Sequence, residues 1–308
     1  MKSYLKVAVS LILISLLIYN IEWGALADNM KTVSATSILI AFTILIVQFP
    51  ISAYKWQKAL RIHGLAYTFG FLQKILCIGF FFNNFLPTSI GGDAYRAVKT
   101  MPKEGYKSCA VSAILVERII GLVALLFLGL VGGVITLQSE EIPIVVYFVT
   151  IGLAGTFAFL VLLFILKLGY LAGFLARLKR IKKLEILTHN LGLIYRNPKG
   201  LANIFTISLF FQLLAIVAIG VLFDALGSEG DYARYAIIAA IVGLAGLLPI
   251  SINGIGVTEG AFAVAAIQLG MDYNQAVIVA FMLRILVVPL SLVCGMVYLV
   301  DSRKPGAT

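Results

Sequence analysis

The chain has 308 residues, a formal net charge of +10 and a mean hydropathy of +1.03. Hydrophobic residues make up 61% and charged residues 12%, about half the charged share of an ordinary soluble domain, roughly 25%. So few charges cannot cover a surface in water, which excludes a soluble globular domain. Residues 142–166 carry no charge, and neither do residues 119–137. A spanning helix needs roughly 20 such residues, whereas outer-membrane barrels use short alternating strands. The expected fold is an all-α polytopic membrane protein forming a single membrane domain over 1–308.

Cationic residues collect in cytoplasmic loops during insertion, so the charges order the elements. Basic clusters fall at Lys2/Lys6, Lys55/Lys58/Arg61/Lys74, Arg96/Lys99/Lys103/Lys107, residues 167–199 and Arg303/Lys304. The loops between them are acidic: Glu22 and Asp28, Glu140 and Glu141, Asp224 and Asp231, and Asp272. The net positive charge therefore reads as a topology signal, not as a nucleic-acid surface. With the N-terminus in the cytoplasm, helix 4–21 runs outward and 34–54 returns. Residues 71–86 are apolar but short and have basic clusters on both sides. Residues 71–99 are therefore expected to be a hairpin opening to the cytoplasm, with its turn at residues 86–92, where Pro87, Gly91 and Gly92 break the helix.

Helix 108–137 then runs outward and 142–166 returns. Residues 167–199 stay cytoplasmic. Leu171, Leu175, Leu178 and Ile181 lie at helical spacing beside five Lys and Arg residues, the pattern of an amphipathic surface helix or of a stop-transfer cluster. Helix 203–223 runs outward. Residues 235–269 are apolar, broken at 248–254 and flanked by acidic loops, so this second hairpin should open to the outside. Helix 276–300 returns the chain to the cytoplasm. The expectation is about six full spans plus two re-entrant hairpins. Ala25-Leu26-Ala27 resembles a signal-peptidase site, but the bulky, charged Ile21-Glu22-Trp23 before it argues against cleavage.

The two breaks resemble each other. Leu86-Pro87-x-Ser89-Ile90 matches Leu248-Pro249-x-Ser251-Ile252, and each leads through glycines to an acid, Asp93 or Glu259. Ala110-Val111 to Arg118 matches Ala276-Val277 to Arg284 at identical spacing. Residues 34–137 and 203–300 read as two inverted repeats joined by 138–202, a plan in which broken helices meet near the bilayer midplane.

Charges inside a bilayer are costly, about 2.5–3.5 kcal/mol each on insertion scales, and face a cavity or a partner. Glu117, Arg118, Glu259 and Arg284 lie within the spans, with Asp93 and Arg96 on the exit of the first hairpin. A broken helix leaves N–H groups free at the start of its second half, where partial positive charge favours phosphate. Arg118 and Arg284 can add bidentate contacts. The candidate headgroup site is therefore Pro87, Gly91, Gly92, Asp93, Arg96, Glu117 and Arg118 at the first break. At the second it is Pro249, Ser251, Gly254, Gly256, Glu259 and Arg284. The bland alternative is that these groups form salt bridges that only fix packing. No metal or cofactor motif accompanies them: His63 and His189 lack ligand spacing, and Gly254-Ile-Gly256 has Glu259 where a dinucleotide loop needs glycine. Cys77, Cys109 and Cys294 form no CxxC pair and read as small buried residues.

Asn83-Asn84-Phe85-Leu86-Pro87 with Gly91-Gly92-Asp93-x-x-Arg96, Glu117-Arg118-x-x-Gly121, and Pro249-x-Ser251-x-x-Gly254-x-Gly256-x-x-Glu259-Gly260 resemble the flippase-like membrane domain of lysylphosphatidylglycerol synthases. The resemblance covers about residues 5–300. It implies movement of aminoacylated or other anionic phospholipids between leaflets of the cytoplasmic membrane. In that family a separate cytosolic domain transfers the aminoacyl group. Here the chain stops at Thr308, so synthase activity is not expected.

A lipid flippase without an ATP motif is the leading expectation. A membrane-embedded enzyme on lipid phosphates, similar to a polyprenyl diphosphate phosphatase with Ser89 or Ser251 as nucleophile, is the alternative. A transporter of small water-soluble solutes is a third class.

Overall fold

A computed structural model of the chain describes residues 3–19, 24, 33–85, 91–102, 108–138, 144–166, 193, 196–228, 230–248 and 250–302. Among them the apolar runs form ten helices and no strand: α1 (Ser3–Tyr19), α2 (Ala35–Ile62), α3 (Phe69–Phe85), α4 (Gly91–Lys99), α5 (Ser108–Thr136), α6 (Ile144–Leu166), α7 (Pro198–Asp224), α8 (Tyr232–Ala245), α9 (Val257–Gln268) and α10 (Tyr273–Ser302). The expected turn at residues 86–90, with Pro87 and Ser89, lies outside the described residues. So do Pro249, the stretch 167–183 and the residues around Ala25.

Local chemistry marks the helix starts. Ser34 caps α2 by accepting from the Ser37 N–H (3.0 Å). Asn197 does the same for α7 through Gly200 (3.0 Å), ahead of Pro198 in the first turn, where a missing N–H costs nothing. Asp231 caps α8 through the Arg234 N–H (3.0 Å).

Helices α2, α5, α7 and α10 are long and apolar enough to cross a membrane. Their 27 to 30 residues reach about 40 Å at 1.5 Å per residue, against a hydrocarbon core of roughly 30 Å. The other two expected spans are α1, 17 residues, and α6, 23 residues. The outer faces are those of a protein solvated by lipid: Leu39, Phe210, Ile285 and Val300 are all more than half exposed, an arrangement water would penalise.

Contacts at the two ends fix how the helices alternate. At one end His63, closing α2, meets Ser112 in the first turns of α5 (Nε2 to Oγ, 2.9 Å). At the same end Lys74 near the start of α3 pairs with Asp301 at the close of α10 (2.7 Å). At the other end the Tyr273 hydroxyl donates to the Leu17 carbonyl (2.8 Å) and Gln275 to the Leu226 carbonyl (3.0 Å). There Arg234, early in α8, also donates to the Leu269 carbonyl at the close of α9 (3.0 Å). Helix α3 thus starts at the first end, and α8 starts and α9 closes at the second.

Each pair has its own core. Trp56, Leu60, Leu72, Ile75, Ile114 and Ile204 pack α2, α3, α5 and α7 together. Stacked Phe223, Tyr235 and Phe262, with ring centroids 5.0 and 6.0 Å apart along the stack, join α7, α8 and α9. Helix α5 runs through both, and small residues let α8 approach it: Gly129 lies against Ala240 and Gly132 against the Ala233 carbonyl, the close packing by which membrane helices associate.

The cysteines correct one expectation. Cys77 on α3 and Cys294 on α10 form a disulfide, with Cα atoms 5.0 Å apart, and only Cys109 keeps the reading of a small buried residue. The partners are 217 residues apart in sequence, so tertiary packing alone brings them together.

Candidate functional site

The first break is held closed by glycine. Helix α4 folds back along α3 so tightly that a Cβ on Gly92 would land on the Gly79 carbonyl oxygen. The approach places the Gly92 N–H on Asn83 Oδ1 (2.8 Å) and swings Asp93 and Arg96, one turn apart, toward α5. Arg96 is buried and donates to Glu117 Oε2 (2.5 Å) and to Asp93 Oδ1 (3.3 Å). Its guanidinium lies 4.2 Å from the Trp56 ring centre, a favourable place for a desolvated cation. Arg118, the next residue on α5, points about a quarter-turn away and pairs with Asp93 Oδ2, leaving its side chain half exposed.

The fifth charge of this cluster is Lys55, which sequence reasoning assigned to a cytoplasmic loop. Helix α2 continues to Ile62, so Lys55 sits about 10 Å inside its end. It is buried, 3.6 Å from Glu117 Oε1, and its ammonium lies 5.0 Å from the Phe211 ring centre. A signal was present: Gln48, Ser52 and Lys55 follow the i, i+4, i+7 spacing of one helix face. Gln48 and Ser52 line a cavity of about 220 Å³ together with Asn83, Asp93, Arg96 and Arg118. Three cations thus surround two carboxylates, leaving one positive charge in excess beside that cavity.

The second break is built on backbone torsions. Asn253, Gly254 and Gly256 all have positive φ (48°, 74° and 84°), a region where L side chains are strained and glycine is not. Gly256 ends the irregular stretch and caps α9, and Glu259 in the first turn reaches back to accept its N–H (2.7 Å). The other oxygen of buried Glu259 accepts from Arg284 Nε (2.7 Å). Arg284 also donates to Thr258 Oγ1 (2.8 Å) and, at 3.5 Å, to the Asn253 carbonyl. This pair borders a second cavity of about 260 Å³ formed with Val242, Thr258 and Val287. Val287 lines both cavities.

The two halves therefore make the same connection. In each, the acid is the third residue of the short helix after the break, and it pairs with the arginine 25 positions on: Asp93 with Arg118, and Glu259 with Arg284. Arg118 is ten residues into α5 from one end of the bundle, and Arg284 eleven into α10 from the other. At 1.5 Å per residue each lies about 15 Å along its helix from that end. The tips touch where Asn253 Nδ2 donates to Asn84 Oδ1 (2.9 Å).

Two expectations need correction. The N–H groups at the breaks do not wait for an anion: Gly92 is satisfied by Asn83, Gly256 by Glu259, and Val257 and Thr258 by the Gly254 carbonyl (3.0 and 2.9 Å). Gly91 opens α4 and Gly254 serves as the turn that receives those bonds, so both act through the backbone. Ser251 is buried with its hydroxyl unpartnered among the described residues.

A family model described as the lysylphosphatidylglycerol synthase TM region matches residues 3–295. Among curated proteins none matches the chain. The chain belongs to that family and is a multi-pass membrane protein.

Proposed function

From its place in the lysylphosphatidylglycerol synthase transmembrane-region family, we propose that this chain is a flippase that moves an anionic or aminoacylated phospholipid between leaflets. The observation that carries the reading is the repeated acid–arginine pair, Asp93–Arg118 and Glu259–Arg284, beside two cavities. A helix bundle needing only packing has no use for two broken helices ending on buried charges. The excess positive charge at the first cavity suits a phosphodiester, which Arg118 meets as it leaves Asp93. Acyl chains stay outside, against the exposed apolar faces of α2, α7 and α10.

The two broken pairs are read as re-entrant hairpins of an inverted repeat, one open toward each leaflet. Lys58, Arg61, Lys74 and Lys99 lie toward the end from which α3 enters, and Asp224, Asp231 and Asp272 toward the other. The positive-inside rule supports a cytoplasmic first end, and with it cytoplasmic termini and residence in the cytoplasmic membrane. In this reading the arginines bind and release the headgroup and transfer no group. The test is reconstitution into liposomes carrying fluorescent phosphatidylglycerol. Arg118→Ala and Glu259→Gln should each slow lipid movement at least tenfold. Movement at the parent rate in both would remove the site from the reading.

A further inference from the structure

The two cavities are separate, and they share one lining residue. Val287 contributes to both cavities. The Asn84–Asn253 contact is a hydrogen bond between the end of α3 and the break before α9. Asn84 is fixed from behind, since its Nδ2 donates to the Phe80 carbonyl (2.9 Å). That leaves Oδ1 to accept from Asn253. Asn253 is held on the other side by its carbonyl contact with Arg284 (3.5 Å). It occupies a left-handed conformation next to Gly254 and Gly256, where the chain can pivot at low steric cost.

We propose that the Asn84–Asn253 hydrogen bond is a latch between the two headgroup pockets, released when Arg284 turns to a headgroup and lets go of the Asn253 carbonyl. The proposal rests on the flippase reading and adds to it a gate that neither cavity contains. Both asparagines are positioning residues: Asn84 and Asn253 line neither cavity, and they act by keeping the tips together. The chemistry fits a latch that opens thermally. A neutral amide pair contributes far less than the ion pairs around it, so the tips separate while the Cys77–Cys294 bridge between α3 and α10 keeps the halves together. Losing one such bond shifts a two-state equilibrium by about three- to tenfold.

Two variants open the latch without burdening the fold. Asn253→Gly removes the amide at a torsion glycine adopts freely, and Asn84→Ala removes the acceptor. Asn84→Asp combined with Asn253→Lys replaces the bond by an ion pair and should hold the tips shut. In liposomes with fluorescent phosphatidylglycerol, the two opening variants should move lipid about three- to tenfold faster than the parent, and the charge pair at least tenfold slower. A second readout needs no lipid movement. In Val287→Cys, an impermeant maleimide added to one face or the other of oriented vesicles reports access; Cys109 is buried and Cys77 and Cys294 are bridged. The added Asn253→Gly change should extend labelling from one face to both. If the parent moves lipid and all variants match it, the latch is wrong and the flippase reading stands. If the parent moves no lipid, the flippase reading fails, and labelling alone judges the latch: unchanged access with Asn253→Gly overturns it.

Discussion

The first break gathers five charged groups and leaves one positive charge in excess, whereas the second holds a single acid–arginine pair tied into the backbone. Around the first, Glu117 is the hub, bonded by Arg96 and approached by Lys55, while Arg118 stands half exposed on Asp93. Around the second, Glu259 spends one oxygen on its own helix cap and the other on Arg284, which is also held by Thr258. The difference separates two uses of charge. A carboxylate that fixes other charges is structural, and an arginine with an exposed flank can exchange partners. The comparison for lipid movement is therefore between Arg118 and Arg284, and the one for stability between Glu117 and Glu259.

Five substitutions sharpen that comparison. Glu117→Ala should be the most damaging, because it strands buried Lys55 and Arg96. Removing one member of a buried ion pair costs about 3–5 kcal/mol, to be read as a loss of thermal stability in detergent. Glu259→Ala should cost less, about 1–3 kcal/mol, since Arg284 keeps Thr258. An equal cost at both positions would erase the distinction between hub and pair. Gly92→Ala should cost about 1–3 kcal/mol by overpacking against the Gly79 carbonyl. Gly260→Ala, with nothing within 4 Å of an added Cβ, should be neutral, within about 0.5 kcal/mol. Arg118→Ala should change stability least of the charge removals, by about 0–1 kcal/mol as for other exposed pairs, while slowing lipid movement.

Much of this arrangement was legible in the sequence because it is written in composition and spacing. Long uncharged runs give helices. The repeated Leu-Pro-x-Ser-Ile and the matched arginines drew attention to Asp93, Arg118, Glu259 and Arg284 before any geometry placed them in pairs. What could not be read depends on where chain segments meet. Lys55 looked like a loop cation because a charge near the end of an apolar run ordinarily marks its exit, yet α2 carries on for two turns. The Cys77–Cys294 bridge joins the first hairpin to the last helix, which no local pattern encodes. The break N–H groups were expected to be open, but side chains three and nine residues away, Glu259 and Asn83, reach them first. Asn84 and Asn253 carried no charge to flag them, and only their contact gives them a role.

The most direct measurement of the central claim, that both breaks serve one headgroup route, is the rate of fluorescent phosphatidylglycerol movement in liposomes holding Arg118→Ala or Arg284→Ala at matched protein density. The account predicts that each substitution slows movement at least tenfold, and that the double substitution is little slower than either alone, since one blocked pocket already stops the path. Parent-level movement in either single variant would contradict it.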